Sequence, residues 1–488
     1  MKFKLLSGIL LLSIHSAQAT WWVEPDDLAL RADIQLLADT GIILQPVTTY
    51  PLMWAGLKQD MDKANVNTLT PQQAAAYERV NQAYEKDTKA IDTSVEIAAA
   101  SDTTRFIGFG QDYRDKGQLT VNANITKDWF SGRLSASYHV DPIDGNSARL
   151  DNSFAAVMLG NWIVSAGVQQ MYWGPGWDTG LIQTTNARPI PGISLTRNNS
   201  HAFETPWLNW IGPWTYVASM GQLEGDRYIS DTKLWRTRAT LRPISKLEVG
   251  LSWAMQWGGE GYGNSLSDWW DGLSNGGQNE KDLNNGQENM LAGYDFRWSD
   301  TAFGIPYGIY YERIHEDFHT EKMRLINAAN MGGVDVFITQ LNTRFFLEYT
   351  DTKVACGVDS NAYNCMYEHG FYQDGYRYYD RSIGSTYDND SETLVLGAIT
   401  QLGDNQNITN KLRWLRLNVD GIDNSHPDGG NKVSPDQYER MYQFDTSYHR
   451  PLYKGTLKVG GTLGYSQYVT NGGHDWETTI YAGWGRSF

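Results

Sequence analysis

The sequence predicts an all-β transmembrane barrel of antiparallel strands with a small helical segment ahead of it, and three observations support this fold class. The chain opens with a secretory signal. It combines 62 aromatic residues and 48 glycines with a polar mean hydropathy of −0.48. After residue 100 apolar and polar positions alternate. A sheet with one apolar face accounts for the last two observations, because its side chains point to alternate faces.

The first nineteen residues form the signal. Lys2 and Lys4 precede an apolar run over residues 5–14 and the small-residue triplet Ala-Gln-Ala at 17–19, which is the three-part pattern of a cleavable secretory signal. The run is too short to cross a bilayer as a helix, and no later segment approaches the roughly 18 apolar residues that such a helix needs. The sequence therefore predicts export, with residues 1–19 removed and no helical membrane anchor.

Charge and composition limit the classes of binding partner that this protein is expected to have. Without its signal the chain has 38 basic and 56 acidic residues, a net charge of −18. A chain this acidic, with no basic stripe, repels phosphate backbones, which argues against nucleic acid as a partner. Tryptophan and tyrosine form girdles at both interfaces of membrane barrels. Most of the aromatic residues are therefore expected to contact outer-membrane lipid.

Residues 20–100 predict a small helical segment on the periplasmic side of the barrel. Pro25 and Asp27 open the first helix, and Gly41 stands where its C-cap belongs. Its apolar positions fall on one helical face: Leu30, Ile34, Leu37 and Ala38. Such helices are too few and too short for a large independent domain.

A second helix is expected to begin at Thr70. The Thr70 hydroxyl can accept a backbone hydrogen bond while Gln73 reaches back, as in a capping box. The residues expected to form its buried stripe are Tyr77, Val80 and Tyr84.

Residues 101–488 predict the barrel itself. Apolar side chains recur at every second residue, for example from Leu119 to Ile125 and from Leu341 to Tyr349. A soluble β-sandwich alternates in the same way. Segments of about ten residues, separated by tight turns or by long polar loops such as 271–290, favour the membrane barrel. At that strand length, about 16 to 20 strands fit into this stretch.

The chain ends on an alternating strand. Ile480, Ala482, Trp484 and Phe488 share one face of it, and Arg486 departs from the pattern. A C-terminal phenylalanine on such a strand resembles the signal that barrel-assembly machinery reads, so this machinery is an expected partner during insertion. The expected location is the outer membrane, and the expected state is a monomer.

Two cysteines, Cys356 and Cys365, flank a polar, turn-rich segment. In an oxidising compartment they are expected to form a short-loop disulfide. A metal pair or free thiols are the alternatives, although no histidine or further cysteine lies nearby at ligand spacing.

Some aromatic residues cluster with glycine and acidic residues in loop-like stretches, at 172–177, 256–261 and 269–271. Flat rings beside hydrogen-bonding side chains suit a sugar, whose C–H faces stack on a ring while its hydroxyls pair with polar groups. The alternative is that several of these residues pack the barrel interior. The candidate carbohydrate-binding residues are Trp173, Trp177, Arg188, Trp257, Glu260, Trp269, Trp270, Asp271, Tyr372, Asp374 and Tyr376.

Several long motifs resemble the Wzi-type outer-membrane proteins of capsule assembly. The matching stretches are YWGPGWDTGLI (172–182), ARPIPG (187–192), PWLNWIGPW (206–214), MQWGGEGYGNSLSDWWDG (255–272), LAGYDFRW (291–298) and FYQDGYRY (371–378). The resemblance implies eighteen strands, a periplasmic helical bundle at one end and extracellular loops folded over the other. It also implies a lectin-like role that holds exported polysaccharide at the cell surface, without catalysis or a cofactor. The stretch 379–440 resembles the family less clearly, which leaves the sugar open.

Metal-dependent chemistry has weak support. Residues His315 to His319 satisfy the zinc-protease pattern H-E-x-x-H, which requires a helix. The preceding residues 308–313 read as a strand, where positions four apart lie about 13 Å from each other. The oxygen-bearing side chains of a later acidic loop match no calcium-binding spacing; they are Asp420, Asp423 and Asp428 with Asn424. We therefore expect no metal site.

Two other functions remain as alternatives to glycan binding. A wide barrel can act as a porin-like diffusion channel, and the discriminator is whether Arg188 and Trp257 point inward and, with the loops and helical segment, occlude the lumen. Glycan hydrolysis would need two carboxylates about 5 to 10 Å apart. The candidate acids for it are Asp178, Glu260, Asp268 and Asp271.

Overall fold

The computed structural model describes residues 20–275, 288–316, 328–355, 363–422 and 430–488. Several sequence predictions fall outside these ranges and stay predictions. They concern the signal at 1–19, the disulfide through Cys356, the zinc pattern through His319, and the acidic loop residues Asp423, Asn424 and Asp428.

Residues 20–90 form a compact set of short elements. In chain order these are β1 (Trp22–Val23), α1 (Leu28–Asp39), β2 (Thr49–Tyr50), β3 (Leu52–Met53), α2 (Trp54–Lys63), a 3₁₀ turn (Val66–Thr68) and α3 (Pro71–Asp87). Asp27 caps α1 by accepting from the Leu30 N–H, and Gly41 after its end has a φ of 77°. Both bonds of the predicted capping box between Thr70 and Gln73 are present.

The rest of the chain forms a closed barrel of antiparallel strands. The strands in chain order are β4 (Ile91–Ala100), β5 (Gly117–Thr126), β6 (Phe130–Val140), β7 (Ala148–Arg149), β8 (Phe154–Leu159), β9 (Trp162–Val168), β10 (Tyr172–Trp173), β11 (Pro191–Arg197), β12 (Trp214–Gln222), β13 (Lys233–Ile244), β14 (Leu247–Trp257), β15 (Asn289–Ala302), β16 (Ile305–Glu316), β17 (Ala328–Ile338), β18 (Thr343–Asp351), β19 (Arg377–Tyr378), β20 (Arg381–Ser382), β21 (Glu392–Gly403), β22 (Gln406–Leu417), β23 (Glu439–Leu452), β24 (Gly455–Tyr468) and β25 (His474–Ser487). The short strands β10, β19 and β20 are not part of the barrel wall. Because β7 and β8 both pair with β6, they count as one interrupted strand, and the described barrel has the predicted eighteen.

The barrel closes where β25 pairs with β4, with Trp484 opposite Ile97. The first strand therefore begins at Ile91, ten residues before the predicted start of the barrel at residue 101. The sequence pattern missed it because β4 ends in three alanines and has short polar side chains between its few apolar ones. An alanine carries too little apolar surface to mark which face of a strand is buried.

The two faces of the barrel wall have opposite chemistry. In β13 the inward side chains Arg236, Arg238 and Arg242 are buried, whereas outward residues such as Leu412 and Trp414 of β22 are exposed. A polar interior with an apolar outer band is the pattern of a membrane barrel and the reverse of a soluble sandwich. Within the ranges that the structure describes, no helix is long and apolar enough to cross a membrane.

The two ends of the barrel also differ. At one end the strands are joined mostly by tight turns, such as residues 245–246, 303–304 and 404–405, and at the other by long loops. The helices lie at the short-turn end, where the Asn405 amide donates to Gln82 of α3. We call the two ends the short-turn end and the long-loop end.

Segments from both ends meet inside the lumen. Helix α1 is buried along most of its length, and β2, which follows it, pairs with β10 from the loop 169–190. The Arg31 guanidinium of α1 donates to the Pro175 carbonyl of that loop at 3.2 Å and lies 4.7 Å from the Trp177 ring. The main hydrophobic core of the protein therefore lies within the barrel, where a channel would otherwise run.

A cavity of about 630 Å³ remains at the short-turn end. It lies between the helices and the inner faces of β4–β6 and β22–β25, and charged and amide side chains such as Asp92 and Asn124 line it. Above it, the Asp112 carboxylate of the loop 101–116 accepts hydrogen bonds from His449 at 2.6 Å and Tyr481 at 2.7 Å. This loop therefore separates the cavity from the long-loop end.

Candidate functional site

A hairpin rises among the loops of the long-loop end. It consists of β19 and β20, with Tyr379 and Asp380 at its tip in left-handed conformations (φ of 49° and 59°). Two consecutive left-handed residues are what a tight two-residue hairpin turn requires. The turn holds Tyr379 at the surface, above side chains from three other loops.

Below this hairpin lies an arginine pocket, which we define by Arg114, Arg149, Arg188, Arg381, Tyr378 and Tyr379. Arg114, Arg188 and Arg381 come from three different connections between barrel strands, residues 101–116, 169–190 and 352–391, and Arg149 ends the short strand β7. The pocket also contains the carboxylates of Asp115 and Asp144. Four arginines against these two aspartates and Asp151, which pairs with Arg188, leave an excess of one positive charge.

Arg188, one of the predicted site residues, is held by carboxylates. Its guanidinium forms two hydrogen bonds of 2.9 Å with Asp151 and a third of 2.8 Å with Asp144. Although burial opposes its charge, these two carboxylates hold the pKa of Arg188 above its usual value. The guanidinium lies 5.1 Å from the centre of the Tyr379 ring. Arg188 is therefore a fixed cation beneath an aromatic ring.

Arg114 and Arg381 make no ion pair within the described residues. Arg114 donates to the Thr185 and Asn186 carbonyls, and Arg381 donates to the Thr104 and Arg105 carbonyls. Burial, and then the charge of Arg381, lowers the pKa of Arg114 to about 9. Burial lowers that of Arg381 to about 10. Both shifts reflect cations that lack a neutralising partner, which a ligand with carboxylate or hydroxyl oxygens could provide.

A second feature at the same end is an aromatic surface, which we define by Tyr228, Tyr262, His369 and Phe371. The Tyr262 and Phe371 rings meet edge to face at 4.6 Å, and Tyr228 is 57% exposed. Beneath them the buried Tyr372 donates to the Gly258 carbonyl at 3.1 Å. Tyr372, a predicted site residue, therefore supports this surface from below.

Residues 223–232 join the two features. The Arg227 guanidinium donates to the Gly375 and Arg377 carbonyls, and the Tyr379 N–H donates to Glu224. The Asp374 carboxylate, also predicted, accepts from the Tyr228 N–H at 2.8 Å. The aromatic surface and the arginine pocket thus lie on one face of the protein, on either side of Arg227.

Other predicted residues lie inside the lumen. The side chains of Trp173, Trp177 and Tyr376 are fully buried. The Trp177 indole donates to Asp335 at 3.2 Å, and the Tyr376 hydroxyl donates to the Ile182 carbonyl at 3.2 Å. A fully buried ring has no free face on which a sugar could stack. These three residues pack the barrel interior, which was the alternative role considered for them.

Trp257 and Trp269 lie on the outside of the barrel. Trp257 was expected to point inward, but Gln256 takes the inward position and Trp257 faces outward, 3% exposed. Trp269 belongs to α4 (Leu266–Asn275), which packs against this outer wall. The two tryptophans form an outer-wall cluster together with Met220, Trp235, Trp253, Met255 and Met290. Alternation predicts that neighbours face opposite sides, but not which of them faces the lumen.

The remaining predicted residues are at the surface. Glu260 is exposed beside the aromatic surface, and its N–H donates to the Ser230 carbonyl at 2.8 Å. Trp270 and Asp271 are exposed on α4. The structure thus brings Arg188, Glu260, Tyr372 and Asp374 to one face and places Trp270 and Asp271 apart from them.

Sequence reasoning missed several residues of this face. Phe371 is the first residue of the motif FYQDGYRY, Tyr379 directly follows it, and Tyr262 lies within the motif at 255–272, so the motifs were an available signal. Arg114 and Arg381 had none. They are single basic residues in separate loops, and only the fold brings them together.

The enzymatic alternatives find little support. His315 and Glu316 lie in the strand β16, and Glu316 accepts from the Tyr367 N–H at 2.6 Å. In the described ranges no group of three or more histidine, cysteine or acidic residues could hold a metal ion. Asp178 lies inside the lumen in ion pairs with Lys411 and Arg413, whereas Glu260 is at the surface.

Comparison with known proteins gives a consistent result. Residues 86–474 match the family model described as capsule assembly protein Wzi. A protein of Klebsiella pneumoniae, described as an uncharacterized 55.8 kDa protein in the cps region, is 30% identical over 318 residues, which are 64% of this chain and 61% of that protein's length.

Among solved structures, Wzi of Escherichia coli superposes with a TM-score of 0.80 and 24% identity, over 97% of this chain and all of that one. It is described as an outer membrane protein involved in group 1 capsule assembly and as a carbohydrate-binding β-barrel. At this level of identity the superposition shows that the two proteins share a fold.

Proposed function

Because this chain belongs to the Wzi family of capsule assembly proteins, we propose that it binds exported capsular polysaccharide or exopolysaccharide and attaches it to the cell surface. In this proposal it is a non-enzymatic outer-membrane protein with its long-loop end outside the cell. Membrane barrels in general have short periplasmic turns and long extracellular loops, so the helices lie in the periplasm. The Escherichia coli relative, described as carbohydrate-binding, supports the same role.

The observation that carries the proposal is the contrast between a filled lumen and an exposed, chemically suitable outer face. Helix α1 and the loop 169–190 meet in the centre of the barrel. A polysaccharide therefore acts at the surface of this protein and does not pass through it. The long-loop end offers rings and cations side by side, in the aromatic surface and the arginine pocket.

The chemistry of this face fits a sugar chain. The rings of Tyr228 and Phe371 can stack on the C–H faces of sugar rings. Glu260 and Asp374 can accept hydrogen bonds from hydroxyls, and the arginines can donate to hydroxyl or carboxylate oxygens. Several separated contacts of this kind suit a long repeating ligand, because each repeat adds binding at a high effective concentration.

The first experiment measures binding of the purified, refolded protein to the host's own surface polysaccharide, with the double variant Tyr228→Ala/Phe371→Ala in parallel. Aromatic stacking contributes about 0.5 to 1.5 kcal/mol for each ring, so we expect binding weakened by roughly 5- to 100-fold. Trp257→Ala is the matched control, since it removes a large ring from the outer wall. Unchanged binding in the double variant, with the fold intact, would remove the aromatic surface from the proposal.

A second measurement addresses the porin alternative. The same protein is inserted into planar bilayers, and we expect no steady single-channel conductance because segments from both ends occupy the lumen. Steady conductance without saturable polysaccharide binding would favour a diffusion channel. Release of new reducing ends from the polysaccharide during incubation would instead favour a hydrolase. Monomeric state and recognition by barrel-assembly machinery stay predictions.

A further inference from the structure

Helix α4 lies outside the barrel wall at the long-loop end. Its residue Trp269 packs on Trp235 of β13, with ring centres 5.9 Å apart, and Trp235 meets Trp253 of β14 at 5.3 Å. All three belong to the outer-wall cluster, and the two strand residues point away from the lumen. The helix is therefore attached to the surface that faces the membrane in a barrel of this kind.

The apolar residues of α4 recur at the spacing i, i+3, i+4 and i+7, as Leu266, Trp269, Trp270 and Leu273. Successive residues of a helix are rotated by about 100°, so these four form one broad stripe. The barrel covers only one edge of it. Trp269 is half-buried against the wall, whereas Leu266 is 75% and Trp270 59% exposed.

The opposite side of the helix is polar. Ser267, Asp271 and Ser274 are exposed there, and Asp268 accepts from the N–H and hydroxyl of Ser265 at the start of the helix. Helix α4 thus has three sides, one against the barrel, one apolar and free, and one polar. An amphipathic helix that lies in a membrane interface is divided in this way between lipid and water.

The free apolar side continues the apolar surface of the barrel. Leu251 of β14 lies two residues from Trp253 on the same outward face and pairs with Tyr294 of β15. Leu251 is 53% and Tyr294 39% exposed. Leu266 and Trp270 therefore adjoin the outward band of the strands, which contacts lipid in a membrane barrel.

We propose that α4 is a lipid-seated helix, whose Leu266 and Trp270 insert into the outer leaflet at the boundary between headgroups and acyl chains while its polar side faces water. Tryptophan favours this boundary because its ring is amphipathic. The partner is membrane lipid rather than another protein, because the apolar side is continuous with the lipid-facing surface of the barrel.

The position of α4 in the membrane interface also bears on Tyr262 of the aromatic surface. Asn264 accepts from the Gly259 N–H at 3.0 Å and donates to the Gly259 carbonyl at 2.9 Å, which closes residues 259–264 into a compact loop that leads into α4. Tyr262 lies in this loop and meets Phe371. A helix anchored in lipid would therefore hold Tyr262 in position. Only this last step rests on the proposed function.

The test places a nitroxide label at single cysteines in the full-length protein, reconstituted in vesicles of phosphatidylcholine and phosphatidylglycerol. Leu266→Cys and Trp270→Cys report the apolar side, and Ser267→Cys and Asp271→Cys are the controls on the polar side. The parent protein, treated identically, shows whether Cys356 or Cys365 takes up label. We expect the labels at 266 and 270 to be more accessible to oxygen than to a water-soluble nickel chelate, and the controls to show the reverse.

Two outcomes would overturn the proposal. Nickel-chelate accessibility at 266 and 270 equal to that of the controls would mean that the apolar side faces water. Low accessibility to both reagents would mean that protein, such as a second copy of this chain, covers it. Neither readout involves polysaccharide, so failure of the lipid seat and failure of the proposed function are distinguishable. A far-ultraviolet circular dichroism spectrum of each variant confirms that the barrel has folded.

Discussion

The two halves of the barrel lumen are built differently, although both have polar inner faces. Along β13–β18 the inward charges are buried, and several of them pair with one another or with Asp39 at the end of α1. Along β4–β6 and β22–β25 the inward side chains near the short-turn end face the cavity of about 630 Å³. Further along β22, Lys411 and Arg413 are buried and pair with Asp178 of the loop 169–190. The difference follows the path of α1, which contacts β15, β16 and β21.

The paired half is organised around Asp39 at the end of α1. Its carboxylate lies 3.2 Å from Arg297 and 2.9 Å from Arg344, and both arginines also pair with Asp335. All four side chains are at most 2% exposed. A charge buried to this degree is tolerated only with fixed partners. Helix α1 and the segment after it, which together we call the plug, therefore share counterions with the barrel wall.

Small residues occupy some inward positions of the cavity half. Gly460 and Gly483 point inward on β24 and β25, and a side chain at Gly460 would collide with the Tyr481 ring. The charges that remain there, such as Asp92 and Lys454, line an open space large enough for many water molecules. The comparison shows that the inner wall carries buried charge where the plug or the loop 169–190 packs against it.

The largest expected effect is in the paired half. Asp39→Ala leaves Arg297 and Arg344 to share a single aspartate, and breaking a buried ion pair costs about 3 to 5 kcal/mol. Urea unfolding in detergent, followed by circular dichroism, measures the free energy. A loss below about 1 kcal/mol would mean that this cluster does not anchor the plug.

A smaller loss is expected at Glu248, which accepts the N–H groups of Val47 and Thr48 and the Thr48 hydroxyl at 2.6 to 3.1 Å. Glu248→Gln keeps one oxygen as an acceptor but removes the charge, and the loss of one charge-assisted hydrogen bond costs about 1.5 to 3 kcal/mol. We expect faster hydrogen exchange at residues 47 and 48 together with reduced stability. The control is Glu96→Gln, an inward position of the cavity half, which should leave that exchange unchanged.

Asp112 gives a pH-dependent effect at the border between the halves. Burial alone would raise its pKa, but Lys458 and His449 hold it at about 2, below the ordinary 3.8. A lowered folded pKa stabilises the protein above pH 4, and this contribution is lost as pH falls toward 2. Its size is about 2 kcal/mol.

The Asp112 prediction is checked by comparing the parent with Asp112→Asn across that range. The stability difference should be present at pH 5 and shrink as pH falls toward 2. A difference that is independent of pH would mean that the carboxylate charge does not hold the loop 101–116.

The smallest expected effect is at Asp92 in the cavity half. Asp92→Asn keeps a polar group beside Asn124, which now donates to the carboxylate at 3.4 Å. Because the side chain faces the cavity and makes no ion pair within the described residues, we expect a change within about 0.5 kcal/mol. A loss as large as that of Asp39→Ala, by the same unfolding assay, would contradict the contrast between the two halves.

Features that depend on residues close in sequence could be predicted, whereas features that depend on long-range contacts could not. The capping box at Thr70 and Gln73 and the outward apolar positions of the strands depend on residues close in sequence, and both were predictable. Helix α2 was missed because residues around Trp54 lack a capping side chain. The site was predicted in part, since Arg188, Glu260, Tyr372 and Asp374 lie on the long-loop face while Trp173 and Trp177 fill the lumen.

The sequence by itself determined the strand periodicity, the helix starts and the motifs of the family, because each is written in neighbouring residues. Only the tertiary structure decided that Trp257 faces outward, that α1 enters the lumen and that four arginines form one pocket. Alternation places Trp257 on the same face as Leu251 and Trp253, but only closure of the barrel around a polar interior makes that face the outer one. Arg381 reaches the carbonyl of Thr104 across 277 residues, and such contacts arise from closure of the barrel, which no local pattern encodes.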